Sequence, residues 1–143
     1  MSPISTTVPA AASNLKWIRL LVLINFGLVV LQAVSAGLVM SGSGPAILLH
    51  ARGGLALGLG ALFQVVAAAI LWARRRALGW IVRSALILFV VVVLQIVAGH
   101  TKRYWFHVPI AVGLFGGLLL QQRRLDAQTA DSGTLVKKIN QLS

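Results

Sequence analysis

The sequence WIVRSALILFVVVVLQIVAGHTKRYWFHVPIAVGLFGGLLL at residues 80–120 establishes the fold class. It holds two apolar runs, 80–99 and 104–120, on either side of the polar residues HTKR at 100–103. A helix needs about 20 mostly apolar residues to cross a bilayer, and so short a connection leaves room only for a tight turn. The stretch therefore predicts two antiparallel membrane-spanning helices that meet at one membrane surface.

Two further apolar runs, at 17–40 and 46–72, precede this pair and are joined by SGSGP at 41–45. The whole chain is 58% hydrophobic and 10% charged, whereas soluble domains have about 25% charged residues. We therefore predict an all-α integral membrane four-helix bundle over residues 15–124.

The two ends of the chain are polar. Residues 1–14 have no basic stretch typical of a signal peptide, so we expect an unstructured tail followed by an uncleaved first span. Residues 125–143 are predicted to be a polar cytoplasmic tail with at most one or two amphipathic turns near its end.

Charged and reactive side chains are few, which excludes several classes of site. The only acids, Asp126 and Asp131, lie near the C terminus, and the chain has no cysteine. The spans therefore offer neither a carboxylate for acid–base catalysis or calcium binding nor a thiolate for a metal. The strong metal ligands that remain are His50, His100 and His107.

The distribution of the 13 lysines and arginines along the chain indicates its membrane topology. They lie between apolar runs rather than on a polar face, so we expect a lipid bilayer and not a nucleic acid as the partner. Three cations, Arg52, Lys102 and Arg103, fall on the side of the histidines. Ten fall on the other side, which predicts that both termini are cytoplasmic in a bacterial plasma membrane; they are Lys16, Arg19, Arg74, Arg75, Arg76, Arg83, Arg123, Arg124, Lys137 and Lys138.

The chain contains an internal repeat of one helix pair. VLQAV at 30–34 matches VLQIV at 93–97, and each is followed by a glycine, a turn and a histidine at the start of the next span. The connection is longer in the first copy. Such a repeat predicts a pseudo-two-fold axis along the membrane normal, with His50 and His107 facing each other at similar depth.

Two facing imidazoles on different helices of a bundle are an axial ligand set for haem iron. The residues one turn beyond them, Gly54 and Ala111, are small and would leave room for a flat macrocycle. The remaining candidates are amides that could hydrogen-bond to a ligand imidazole or to each other, and cations that could pair with haem propionates; they are Gln32, Gln95, Arg52, Lys102 and Arg103.

Each of these features also has a purely structural interpretation. Interfacial histidines are tolerated polar residues, small residues at helical spacing pack helices, and buried glutamines join helices. Cations at a membrane surface extend toward lipid phosphate. His100 has no counterpart in the other half of the repeat, so we interpret it as a loop residue.

Two motifs resemble the haem A synthase family. AGLVMSGSG at 36–44 is similar to the end of that family's first helix, where a glycine-rich turn precedes a histidine-bearing second helix. LQIVAGHTKRYWFHVPIAVGLFGG at 94–117 is similar to its other helix pair. The family's enzymes have two four-helix halves, each with a histidine on the second and fourth helices, and residues 17–121 resemble one half.

The resemblance implies that His50 and His107 form the ligand pair for haem b. The first outer loop, SGSGP, lacks the acidic residue and the cysteine pair typical of the family's catalytic half. We therefore do not expect this chain to be an enzyme on its own.

The functional hypothesis is a small bis-histidine haem b protein for electron transfer or haem handling, working with a respiratory or other membrane complex or as a homo-oligomer. The alternative is a haem-free accessory subunit of such a complex. A transporter component is a third interpretation, which the lack of acidic residues in the spans disfavours.

Overall fold

The computed structural model describes residues 9–74 and 79–141, and within those ranges the chain is helical apart from short turns. The helices are α1 (Pro9–Met40), α2 (Gly44–Arg74), α3 (Gly79–His100) and α4 (Tyr104–Asn140). Each contains a segment that is long and apolar enough to cross a membrane. The predicted all-α membrane bundle is confirmed.

The four helices form a ring in which consecutive helices are antiparallel neighbours. α1 packs against α2 and α4, and α3 packs against the same two helices, whereas the backbones of the diagonal pairs stay farther apart over the described residues. The turns after α1 and α3 therefore lie at one end of the bundle, called here the histidine end. The opposite end, where α1 begins, carries Arg19, Arg74, Arg83 and Arg124 and is called here the basic end.

The repeat is confirmed by the buried positions, which recur at a constant spacing. Five buried residues of α1 each have a buried counterpart 63 positions later on α3; the α1 set is Ile18, Val22, Asn25, Val29 and Ser35, and the α3 set is Ile81, Ala85, Leu88, Val92 and Ala98. On α2 and α4 the spacing is 57 positions, from Leu57, Ala61, Gln64 and Ala68 to Leu114, Leu118, Gln121 and Leu125. The two helix pairs thus use the same faces to build the core.

The two turns at the histidine end are closed in the same way. After α1, the Ser43 amide donates to the Leu38 carbonyl and the Gly42 amide to the Val39 carbonyl, a Schellman motif around Gly42 at φ 86°. After α3, the Arg103 and Lys102 amides make the equivalent bonds, with Lys102 at φ 56°. The six extra residues between glutamine and histidine in the first copy lengthen α1 and α2 and leave the turn unchanged.

The helices extend beyond both predicted boundaries. α1 begins at Pro9, inside the predicted N-terminal tail, of which residues 1–8 lie outside the described part. α4 continues through the predicted C-terminal tail to Asn140, and Leu125 is fully buried. Asp126 pairs with Arg19 of α1, which joins the start of this tail to the basic end of the bundle.

Candidate functional site

His50 and His107 face each other across the histidine end of the bundle. Both rings are half-buried, their centroids are 6.1 Å apart and their planes make an angle of 65°. His50 lies on α2 and His107 on α4, two diagonal helices whose described backbones are not direct neighbours. The two imidazoles therefore span the centre of the bundle, as the repeat predicts.

The hydrogen bond of His107 determines which ring nitrogen carries the proton. His107 Nδ1 lies 2.9 Å from the backbone carbonyl oxygen of Gln95. A carbonyl oxygen can only accept, so Nδ1 must be the protonated nitrogen. The neutral ring then presents the lone pair of Nε2, the nitrogen available to a metal.

His50 adopts the same tautomer, with the proton on Nδ1, through a hydrogen bond to a hydroxyl group. His50 Nδ1 lies 3.0 Å from Ser35 Oγ, which in turn lies 3.0 Å from the carbonyl oxygen of Gln32. Serine has one hydroxyl proton, and the carbonyl accepts it. With the Ser35 proton donated to the Gln32 carbonyl, Oγ accepts from His50 Nδ1–H, and in this tautomer the His50 Nε2 lone pair is free as well.

Both histidines are linked by hydrogen bonds to a backbone carbonyl at the same position of the repeat. Gln32 and Gln95 are 63 positions apart, which is also the spacing between the buried residues of α1 and those of α3. Ser35 corresponds to Ala98, so the second half lacks the hydroxyl and its histidine bonds directly to the carbonyl. Close approach of that ring requires Gly99, where an added Cβ would lie 2.9 Å from His107 Cε1.

The predicted glutamines lie beside the histidines but act through their backbones. Gln32 and Gln95 are half-buried, and their carbonyls are the acceptors just described. The side-chain atoms Gln32 Nε2 and Gln95 Oε1 are buried and have no hydrogen-bond partner, so they do not bond to each other. Gln32 Nε2 rests on Gly53, where an added Cβ would overlap it.

The predicted small residues and cations occupy the same end of the molecule. Gly54 and Ala111 are half-buried, and Gly54 has Gln32 Oε1 as its nearest side-chain neighbour. The cations Arg52, Lys102 and Arg103 are exposed around the histidine end, as is His100. His100 takes no part in the contact between the other two histidines.

A buried chain of polar side chains crosses the bundle nearer the basic end, and the sequence interpretation missed it. Asn25 Nδ2 donates to Gln64 Oε1 over 2.7 Å, Gln64 Nε2 to Gln121 Oε1 over 2.8 Å, and Gln121 Nε2 to Ser84 Oγ over 2.8 Å. The chain joins all four helices. The signal was present in the sequence, because Gln64 and Gln121 have the same 57-residue spacing as His50 and His107.

The protein side chains at the histidine end provide two strong ligands. Among the described residues, no group of three or more histidine, cysteine, aspartate or glutamate side chains is close enough to hold a metal ion. No known protein family, no curated protein and no solved structure matches the chain. The functional argument therefore depends on the geometry and chemistry of the histidine pair.

Proposed function

We propose that the protein is a small integral membrane haem b protein in which His50 and His107 are the two axial ligands. The observation that carries the proposal is the pair of half-buried imidazoles with protonated Nδ1 atoms and free Nε2 lone pairs on diagonal helices. Metal-binding histidines almost always donate their other ring N–H to an oxygen of the protein, as both do here.

The separation of the rings fits one shared metal. Two imidazoles bonded to one iron have centroids roughly 6 Å apart, from two bonds of about 2 Å and about 1 Å from each nitrogen to its ring centre. The observed centroid distance is 6.1 Å. Two rings that share one axis through a metal can adopt any angle between their planes, so the 65° angle is compatible with this arrangement.

The small number of protein ligands favours haem over a bare ion. A tetrahedral zinc site uses three or four protein ligands, and the described residues offer only the two histidines at this place. A porphyrin supplies four equatorial nitrogens, so two axial imidazoles complete six-coordinate iron. The resemblance of residues 17–121 to one half of haem A synthase is consistent with this ligand pair.

The other residues of the site hold and orient the cofactor. The carbonyls of Gln32 and Gln95 fix the orientation of the imidazoles, directly or through Ser35. The exposed Arg52, Lys102 and Arg103 can pair with propionates, whose charge is most easily accommodated at the membrane surface. Gly54 and Ala111 keep bulky side chains away from the ligands.

Bound haem would supply reversible one-electron transfer. With His50 and His107 both holding the iron, a bound haem would have no open position for oxygen, which favours electron transfer or haem handling. The partner would be a quinone or a respiratory complex. By the positive-inside rule, the histidine end lies on the outer side of a bacterial plasma membrane and both termini are cytoplasmic.

A reduced-minus-oxidised absorption spectrum of protein produced with ample haem tests the proposal. We expect the wild type to show a low-spin b-type spectrum. His50→Ala and His107→Ala should each abolish or convert it, because one missing ligand leaves the iron five-coordinate, and the two effects should not add. His100→Ala is the matched control and should retain the spectrum. Haem binding that survives both substitutions would refute the assignment.

A haem-free accessory subunit is the second candidate, and the exposed glycines favour it. Gly27, Gly37 and Gly113 are exposed and have no side chain nearby that an added Cβ would meet. Small residues on a lipid-facing surface let another helix approach closely. A wild type without any haem band would favour this function over the first.

A further inference from the structure

We infer that Ser35 is a positioning residue, whose hydroxyl holds His50 in its metal-binding tautomer because Ala36 prevents the direct contact that His107 makes. The inference rests on the proposed function only for the measurements that use bound haem. The state of the His50 ring is a property of the protein itself and is measurable without haem.

The two halves of the repeat orient their histidines through different hydrogen bonds. In the second half the pair Ala98–Gly99 has no side chain beyond one methyl, and His107 Nδ1 reaches the Gln95 carbonyl at 2.9 Å. The His107 ring lies so close to Gly99 that a Cβ there would be 2.9 Å from Cε1 and 3.1 Å from Nδ1. Direct bonding to the carbonyl therefore requires glycine at this position.

The equivalent pair in the first half is Ser35–Ala36. Ala36 carries the Cβ that Gly99 lacks, so the His50 ring has to stay farther from the helix backbone. Ser35 fills that extra distance, because its hydroxyl accepts from His50 Nδ1 and donates to the Gln32 carbonyl, each over 3.0 Å. Ser35 is completely buried, and its hydroxyl is the group that joins the ring to the carbonyl.

The two ligands are consequently unequal. His107 donates to a carbonyl, and His50 donates to a hydroxyl. A hydrogen bond from Nδ1–H raises the basicity of the ring as a ligand, and its loss typically lowers metal affinity 10- to 100-fold. Removal of the Ser35 hydroxyl should weaken His50 as an electron donor and shift the haem reduction potential to a more positive value.

The first measurement uses the haem-free protein. The ¹⁵N chemical shifts of the imidazoles in detergent micelles distinguish Nδ1–H from Nε2–H. We expect His50 in the wild type to be Nδ1–H and Ser35→Ala to lose that preference, whereas His107 stays unchanged in both. A wild-type His50 in the Nε2–H form would overturn the inference, even if the Ser35→Ala protein does not fold.

The second measurement uses a variant in which residues of the second half replace their counterparts in the first. The double variant Ser35→Ala/Ala36→Gly gives the first half the Ala–Gly pair of the second. We expect it to recover the Nδ1–H tautomer and most of the haem affinity that Ser35→Ala loses. Ser41→Ala is the matched control, because Ser41 Oγ also donates to a backbone carbonyl but is exposed in the turn; it should change neither property.

The outcomes separate the inference from the function on which it rests. A wild type that binds no haem but shows His50 as Nδ1–H contradicts the proposed function and supports the role of Ser35. A wild type that binds haem, with Ser35→Ala unchanged in tautomer, affinity and potential, overturns only the inference. A double variant no better than Ser35→Ala would also overturn it, because the explanation by Ala36 would then be wrong.

Discussion

The amide of Gln64 should be a large single contribution to the stability of the bundle, and Gln64→Leu tests this directly. Leucine keeps the approximate volume of the side chain and removes its polar atoms. The substitution leaves Asn25 Nδ2 without its acceptor and Gln121 Oε1 without its donor, both in the buried interior. Asn25, Gln64 and Gln121 are all buried, so bulk water does not satisfy these groups in the folded protein.

The size of the effect follows from the two bonds lost. Hydrogen bonds between membrane helices contribute about 0.6 kcal/mol on average and about 1.7 kcal/mol at most. Loss of two such bonds should therefore lower the free energy of unfolding by roughly 1–3 kcal/mol. Phe63→Leu is the matched control, because the neighbouring Phe63 side chain is 64% exposed toward lipid and should change stability little.

Equilibrium unfolding in mixed detergent micelles, followed by circular dichroism, measures the difference. A double-mutant cycle with Gln121→Leu isolates the bond between the two glutamines, and we expect a coupling near 0.6 kcal/mol, within a range up to about 1.7. If Gln64→Leu is as stable as the wild type, or the two substitutions are additive, the hydrogen-bond chain does not stabilise the bundle and this reasoning is refuted.

Two further predictions concern the turn after α3 and the topology. Lys102 has a left-handed φ of 56°, so Lys102→Gly should raise the free energy of unfolding by roughly 1 kcal/mol while weakening haem retention through the lost cation. Thermal unfolding and haem titration measure the two effects, and a less stable variant would contradict the strain argument. Reporters after residue 143 and within residues 41–43 should report the cytoplasm and the outside, respectively; a shared location would exclude the four-span topology.

The sequence predicts the spans and the repeat well because both depend on where apolar residues lie. The run from Trp80 to Gly99 contains no proline and no internal glycine that could end a helix early, and α3 extends from Gly79 to His100. The tails were harder to predict, since polar composition alone does not distinguish a surface helix from a flexible segment. Leu125 and the pair Arg19–Asp126 show that tertiary contacts begin to stabilise α4 where its apolar run has ended.

The histidine pair was predictable from the repeat, but the groups that orient it were not. Sequence reasoning assigned the orienting role to the amides of Gln32 and Gln95, because side chains are what a sequence displays. The structure assigns it to their backbone carbonyls, with Ser35 inserted in one half. A serine in an apolar span usually bonds back to its own helix, so nothing in its local sequence distinguishes Ser35 from an ordinary helical serine.

The polar groups of the bundle fall into two kinds that follow from the pseudo-two-fold axis. Residues that meet across the axis occur in related pairs, His50 with His107 and Gln64 with Gln121, because each half supplies the same position. The groups that satisfy them differ between the halves. Asn25 and Ser35 have Leu88 and Ala98 as counterparts, and Ser84 has Leu21, so each helix pair contributes hydrogen-bonding groups that the other lacks.

The asymmetry is visible in the hydrogen bond between the two glutamines. Two glutamine amides can bond reciprocally or in one direction, and here the bond runs from Gln64 Nε2 to Gln121 Oε1. Asn25 donates to Gln64 at one end and Ser84 accepts from Gln121 at the other, which orients the whole chain of amides.

The variant Asn25→Leu introduces the residue found at the equivalent position of the second half. It should therefore lower the free energy of unfolding less than Gln64→Leu does. It leaves only Gln64 Oε1 without a donor and also removes the unpartnered Asn25 Oδ1. The same unfolding assay measures both variants, and an Asn25→Leu protein less stable than Gln64→Leu would contradict this count of lost hydrogen bonds.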